Sequence, residues 1–237
     1  MTLPVYYYHR VGPFRDGAPL KMNVSPDAFG EHMSVLARRA NPVALDTLVE
    51  CAREGKPFPA GAVAVTFDDG YRDLMEFALP VLREFKIPAA FFIVSGGVGG
   101  EDSWNKIEGL PREPVMSWDD LKRLRDAGMT IGSHSASHAR LDEVHGAALN
   151  DEIEGSRREL QGRLGVPIRH FAYPQGRYSK EAEAAVGAAG YAAGWATRKG
   201  RPLAPDDHTA IRRVPISAYI RGGRFRWELL LMRWGIR

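Results

Sequence analysis

Apolar residues fall in short, nearly unbroken runs separated by longer amphipathic stretches. Runs at residues 4–9, 62–67, 89–94, 129–133, 170–173, 191–197 and 211–216 predict strands. Most lack strict alternation, as expected for strands covered on both faces. Between many of them the period changes to that of a helix. Ser25-Pro26 is an N-cap with proline at the first helical position, and Phe29, Met33 and Leu36 mark one face. Leu74, Phe77, Val81, Leu82 and Phe85 mark the next, with Pro80 predicting a kink. Ser117-Trp118-Asp119-Asp120 reads as a capping box with Asp in the place of Glu, and Gly128 as a stop. Leu149, Ile153, Leu160 and Leu164 predict a helix ending at Gly165, and residues 179–189 another ending at Gly190. Strands alternating with helices predict a parallel sheet or barrel, in which chemistry gathers at the C-terminal ends of the strands.

The chain has 237 residues, enough to bury a full core. A formal charge of +3 is too small to argue for a nucleic-acid partner, and none is expected. The single cysteine, Cys51, allows no intrachain disulfide and fits a buried helix face in Leu48-Val49-Glu50-Cys51-Ala52. The first ten residues lack a basic segment followed by a long apolar core, which predicts a cytoplasmic location for a chain that begins here. Gly96-Gly97-Val98-Gly99-Gly100 lacks the Lys-Ser/Thr of a phosphate loop and reads as a plain loop.

Three strand ends carry candidate chemistry. Thr66-Phe67-Asp68-Asp69-Gly70 places two carboxylates side by side, where repulsion and desolvation both penalise them unless a cation is present. An Asp-Asp-Gly turn that caps a helix is the simpler alternative. His134-Ser135-Ala136-Ser137-His138 sets two imidazoles four apart, able to converge on one cation in a helical turn or tight loop. The pair lacks the Glu of a zincin helix. One Asp and two His with open positions make a sensible hydrolytic metal site. His9 ends the first apolar run, where a hydrogen-bonded core histidine is the plain alternative.

Together these motifs resemble the polysaccharide deacetylase family, carbohydrate esterase family 4 or NodB-homology. The likeness covers residues 64–71, 116–138 and Phe171-Ala172-Tyr173-Pro174-Gln175-Gly176, and spans about residues 3–217. It implies a distorted (β/α)7-type barrel, a divalent metal that is commonly zinc (cobalt or nickel as alternatives), and removal of N-acetyl groups from a sugar. It assigns Asp68 as general base, Asp69, His134 and His138 as metal ligands, and Ser135 as a brace of the histidine loop. Two departures matter. Ala172 stands where the family carries an arginine beside the base, and residues 211–216 lack the usual Leu-x-His acid. The poly-β-1,6-N-acetylglucosamine deacetylases, a permuted branch, carry Tyr-His early in the chain. Tyr8-His9 resembles that arrangement and passes the acid role to His9. By position, Arg213 or its neighbour Arg212 replaces the missing arginine. Tyr173, Trp195 and Trp104 are candidate walls for sugar or acetyl, and a backbone N–H near Gln175 a candidate oxyanion donor. The rivals are a related hydrolase of a non-sugar amide or O-acetyl ester, and an inactive carbohydrate-binding relative.

The barrel is expected to occupy residues 1–220. Residues 221–237 form a basic, aromatic-rich tail with Arg221, Arg224, Arg226, Arg233 and Arg237 among Phe225, Trp227, Leu229, Leu230 and Trp234. Such a tail can pack on the barrel as a last helix or lie on an anionic membrane, where a lipid-linked N-acetylated glycan would be within reach.

Overall fold

The computed structural model describes residues 3–14, 22–105, 112–197, 200–220 and 222–233. Arg221, Trp234 and Arg237 of the tail lie outside them, as do the side chains of Leu231, Met232 and Arg233. The strands are β1 (Val5–Tyr8), β2 (Arg10–Val11), β3 (Asn23–Val24), β4 (Asn41–Pro42), β5 (Ala62–Phe67), β6 (Ala89–Ile93), β7 (Thr130–Ser133), β8 (His170–Ala172), β9 (Ala193–Trp195) and β10 (Val214–Pro215). The helices are α1 (Pro26–Arg39), α2 (Leu45–Arg53), α3 (Asp73–Phe77), α4 (Leu79–Glu84), α5 (Trp118–Asp126), α6 (Gly146–Asn150), α7 (Ser156–Leu164), α8 (Lys180–Ala188) and α9 (Gly222–Arg233).

Hydrogen bonding orders the main sheet β10-β1-β5-β6-β7-β8-β9, with β4 beside β5, and every pairing is parallel. The sheet curls, and the segment after β9 spans its two edges. Ile211 exchanges backbone hydrogen bonds with Gly194 and Ala196, while Val214 and Pro215 pair with Tyr6 and Tyr7 of β1. Arg213 sits in that spanning segment. The result is the distorted (β/α) barrel that the family resemblance implies, and it fits the parallel arrangement that the alternation of elements predicts.

Alternate residues face opposite sides of each strand. Tyr6, Tyr8, Val63, Val65, Phe67, Phe91 and Phe171 join the layer between sheet and helices. Val5, Ala62, Ala64, Ala90, Phe92, Ala172 and Trp195 form a second cluster inside the curl. Small residues leave room there for a few large ones. A Cβ on Gly132 would stand 2.6 Å from the Phe92 ring, so only glycine lets that ring cross the interior. Leu45, Leu48 and Val49 of α2 join the same cluster and floor it at the N-terminal ends of the strands.

Local signals act where the sequence places them. Ser25, Ser117 and Ser179 each accept a backbone N–H three residues on, and Asp120 completes the box at α5. Gly165 closes α7 in the left-handed region. The predicted kink at Pro80 is a break, with α3 ending and α4 beginning around Ala78. The α6–α7 stretch holds a wider turn over Asp151–Gly155 that periodicity did not foretell. Cys51 is half-buried rather than fully buried.

Candidate metal centre and active site

The C-terminal ends of β1, β5, β7 and β8 bring His9, Asp68, Asp69, His134 and Gln175 to one rim. The backbone there is forced. Asp69, Ser135, His138 and Gln175 have φ between 56° and 71°, four of the five non-glycine residues with positive φ among those described. Such conformations cost free energy and persist where the surroundings impose them.

Asp69 is buried, and its Oδ1 lies 3.4 Å from His134 Nε2 and 3.3 Å from His138 Nε2. No hydrogen bond of acceptable geometry reaches that oxygen. His134 Nδ1 must be a donor, because its partner at 2.8 Å is the Ala172 carbonyl. In the neutral ring Nε2 is therefore a lone pair facing a carboxylate oxygen. Two acceptors so placed need a cation between them. Tetrahedral coordination with bonds of about 2.0–2.2 Å sets ligand atoms roughly 3.3–3.6 Å apart. The three ligand atoms all lie within 4.8 Å of one another, so the donor set fits a divalent ion.

The electrostatics agree. Burial works against charge on His134, but Asp68 and Asp69 outweigh it and raise its pKa. Burial likewise opposes ionisation of Asp69, yet the His134 and His138 contacts and the charge of His9 hold it well below the usual carboxylate range. The pocket favours positive charge among fixed carboxylates.

Asp68 faces another partner. Its Oδ1 and Oδ2 accept from Arg213 Nη1 and Nη2 at 2.7 and 2.8 Å. Arg213 is fully buried and also donates to Thr66 Oγ1 and the Ala196 carbonyl. Its guanidinium lies 4.7 Å from the Tyr7 ring centre and 5.1 Å from that of Phe92. Burial pushes the Asp68 pKa up, but Arg213 and His134 overcome it and the net direction is down. Position alone allowed Arg213 or Arg212, and it is Arg213 that pairs with the carboxylate.

The histidine loop is tied from several sides. Ser135 Oγ accepts the His138 N–H at 3.0 Å, and Ser133 Oγ accepts the Ser135 N–H. Glu152, on the wide turn before α7, accepts the N–H groups of Ala136 and Ser137 and the Ser137 hydroxyl. Ser95 N–H and Gly96 N–H donate to the carbonyls of Ser135 and Ala136. A Cβ on Gly96 would sit 2.8 Å from the Ala136 oxygen, so the glycine-rich segment buttresses this loop rather than merely connecting elements. Trp104 stacks on His138 at 5.5 Å between ring centres. Sequence reasoning missed Glu152 and Gly96, because neither belongs to a chemistry-bearing motif.

His9 is half-buried and meets Tyr7 edge-on at 5.6 Å. Gln175 is exposed. Two expected substrate walls need correcting. Tyr173 faces the outer layer, where it packs on Phe171 and Tyr178 and its hydroxyl donates to the Thr209 carbonyl. Trp195 faces inward but is fully buried, its indole N–H reaching His170 Nδ1 at 3.3 Å. Neither side chain reaches the open rim. A neighbouring groove of about 580 Å³, lined by Arg10, Arg72, Asp73 and Glu113 among others, contains none of the acidic-imidazole cluster.

Comparison with known proteins decides the family. The polysaccharide deacetylase model matches residues 55–194, more than half the chain. The chain belongs to the polysaccharide deacetylase family. A Staphylococcus aureus relative named poly-β-1,6-N-acetyl-D-glucosamine N-deacetylase is 25% identical over 191 residues, covering 77% of this chain and 61% of its own length. The chain spans 54–61% of the length of the curated relatives it matches over most of its own sequence. The fold is shared with Streptococcus pyogenes deacetylase PplD, solved in complex with acetate (TM-score 0.83, 19% identity, 97% of this chain and 98% of that one). It is shared too with IcaB from Ammonifex degensii (TM-score 0.79, 23% identity, 96% and 97% of the two chains).

Proposed function

We propose that the protein is a metal-dependent N-deacetylase of an N-acetylated glycan, releasing acetate and leaving a free amino sugar. One observation carries this reading. Adjacent carboxylates at one strand end have opposite partners, Asp69 facing two imidazole Nε2 atoms and Asp68 held by Arg213. Family membership and the relative named for poly-β-1,6-N-acetyl-D-glucosamine support the substrate class.

Asp69, His134 and His138 would hold the ion, and two nitrogens with one oxygen suit zinc, with cobalt or nickel as substitutes. When bound, the metal supplies Lewis acidity toward the acetyl carbonyl and acidifies water. Asp68 is kept ionised by Arg213 and accepts the proton of the attacking water. Arg213 stays charged throughout and serves to position the base. His9, directly after the strand paired with β5, donates a proton to the departing nitrogen as the C–N bond breaks. Gln175, exposed beyond β8, offers backbone contact to the acetyl oxygen at the rim. Ser135 braces the His134–His138 loop.

The test is acetate release from N-acetylglucosamine oligomers and from a lipid-linked N-acetylglucosamine, with chelated and metal-restored controls. Release that needs metal and falls sharply in His9→Ala supports the reading. No release from any N-acetyl sugar by metal-loaded protein would instead point to a non-sugar amide or an O-acetyl ester.

A further inference from the structure

The two faces of α9 are occupied differently. Phe225 and Leu229, one turn apart, are buried. Phe225 stacks on His32 of α1 at 4.3 Å and lies 5.2 Å from Tyr6 of β1, which fixes the helix to the barrel. The opposite face carries Trp227, 67% exposed, and Leu230, 43% exposed. Helical periodicity sets Arg224 and Arg226 on the two edges of that face. Arg38 and Arg39, from the last turn of α1, join Arg226, Leu229 and Leu230 around a shallow hollow of about 260 Å³. Tyr219, 58% exposed, stands just before the helix. Four large hydrophobic side chains are exposed among the described residues, and three of them fall within residues 219–230. That clustering separates a binding surface from ordinary scattered exposure.

The chemistry of the patch selects its partner. Trp227 and Leu230 need an apolar medium, and Arg38 and Arg226 beside them suit anions at the edge of that medium. Nucleic acid supplies phosphates but nothing for Leu230. A second copy related by a two-fold axis would set arginines against arginines. A bilayer surface bearing anionic lipid meets both needs in one plane, with the arginine stems lying along the apolar boundary. Among the described residues no helix is long and apolar enough to cross a membrane, so the geometry is that of a helix lying in the interface.

We propose that α9 seats this protein on anionic membranes, with Trp227 and Leu230 inserted and Arg38 and Arg226 at the level of the headgroups. The experiment is co-sedimentation of the full chain with vesicles of phosphatidylcholine alone or mixed with phosphatidylglycerol. The protein is expected to pellet with the mixed vesicles and to stay in solution with the neutral ones. Added salt should weaken binding. Arg38→Gln and Arg226→Gln should each lower it about fivefold. Trp227→Ser with Leu230→Ser should abolish it while leaving the thermal melt in place, because both side chains are exposed. Equal recovery in the supernatant with both vesicle types would overturn the proposal. So would equal binding to neutral vesicles, or concentration-dependent dimerisation lost in Trp227→Ser without any pelleting.

Discussion

Arg213 grips Asp68 through two parallel hydrogen bonds, across 145 positions of sequence. The arginine reaches the carboxylate from the segment that spans the two edges of the sheet, so the segment that closes the barrel also carries the partner that favours the ionised form of Asp68. A buried ion pair of this kind is weak evidence for stability but costly to break.

Substitution of Arg213 should therefore act on both fold and chemistry. Arg213→Ala leaves a buried carboxylate unpaired, and a loss of about 3–5 kcal/mol is expected in urea unfolding. Arg213→Lys keeps the charge but loses the fork. Asp68 is then held down less firmly and its pKa rises, so the acidic limb of the kcat/KM profile should move to higher pH. An unmoved limb would show that Arg213 does not control the ionisation of Asp68.

Asp69→Ala should abolish stoichiometric metal, measured by elemental analysis of dialysed protein. Chelation of the wild type should lower its melting temperature, because a ligand bound only by the folded state stabilises it. Chelation should leave the Asp69→Ala melt unchanged. A shift of equal size in both proteins would remove Asp69 from the ligand set.

Glu152 touches none of the expected ligands directly yet holds the loop between them. Glu152→Ala should weaken metal affinity roughly 10–100-fold, the usual cost of losing an outer support. A competition titration against a chromophoric chelator measures it. Unchanged affinity would make the clamp incidental.

His32 gives stability a pH dependence separate from the metal site. Burial lowers its pKa to about 4, against the pull of the Ile220 carbonyl that its ring also contacts. An unfolded chain titrates histidine near 6.5. Between those values the unfolded state binds a proton that the folded state refuses, so stability falls as pH drops from about 6.5 toward about 4. The loss is on the order of 3 kcal/mol. His32→Gln should flatten that part of the profile in urea unfolding followed from neutral to acidic pH. An identical slope in wild type and variant would assign the loss to other groups.

Much of the fold was legible because burial on both faces writes strands as continuous apolar runs, and because the serine caps and the Gly165 stop act locally. The acidic pair and the spaced histidines were legible as motifs at strand ends. What was not legible depended on direction or on distance in the chain. Tyr173 follows inward-facing Ala172, so the two-residue period turns its side chain away from the rim. Trp195 shares the inward face but its indole points to His170, below the opening. Position favours Arg213 over Arg212, but what decides between them is which side chain enters the barrel. Glu152 and Gly96 act through backbone groups of another loop, which no spacing reveals.

The proposed mechanism makes Asp68 the base and Asp69 a ligand. The direct measurement is acetate release and bound metal, taken together on Asp68→Asn. Metal at wild-type stoichiometry with turnover reduced about 10²–10⁴-fold is the expected result. Full activity in Asp68→Asn, or loss of its metal, would contradict the division of labour between the two carboxylates.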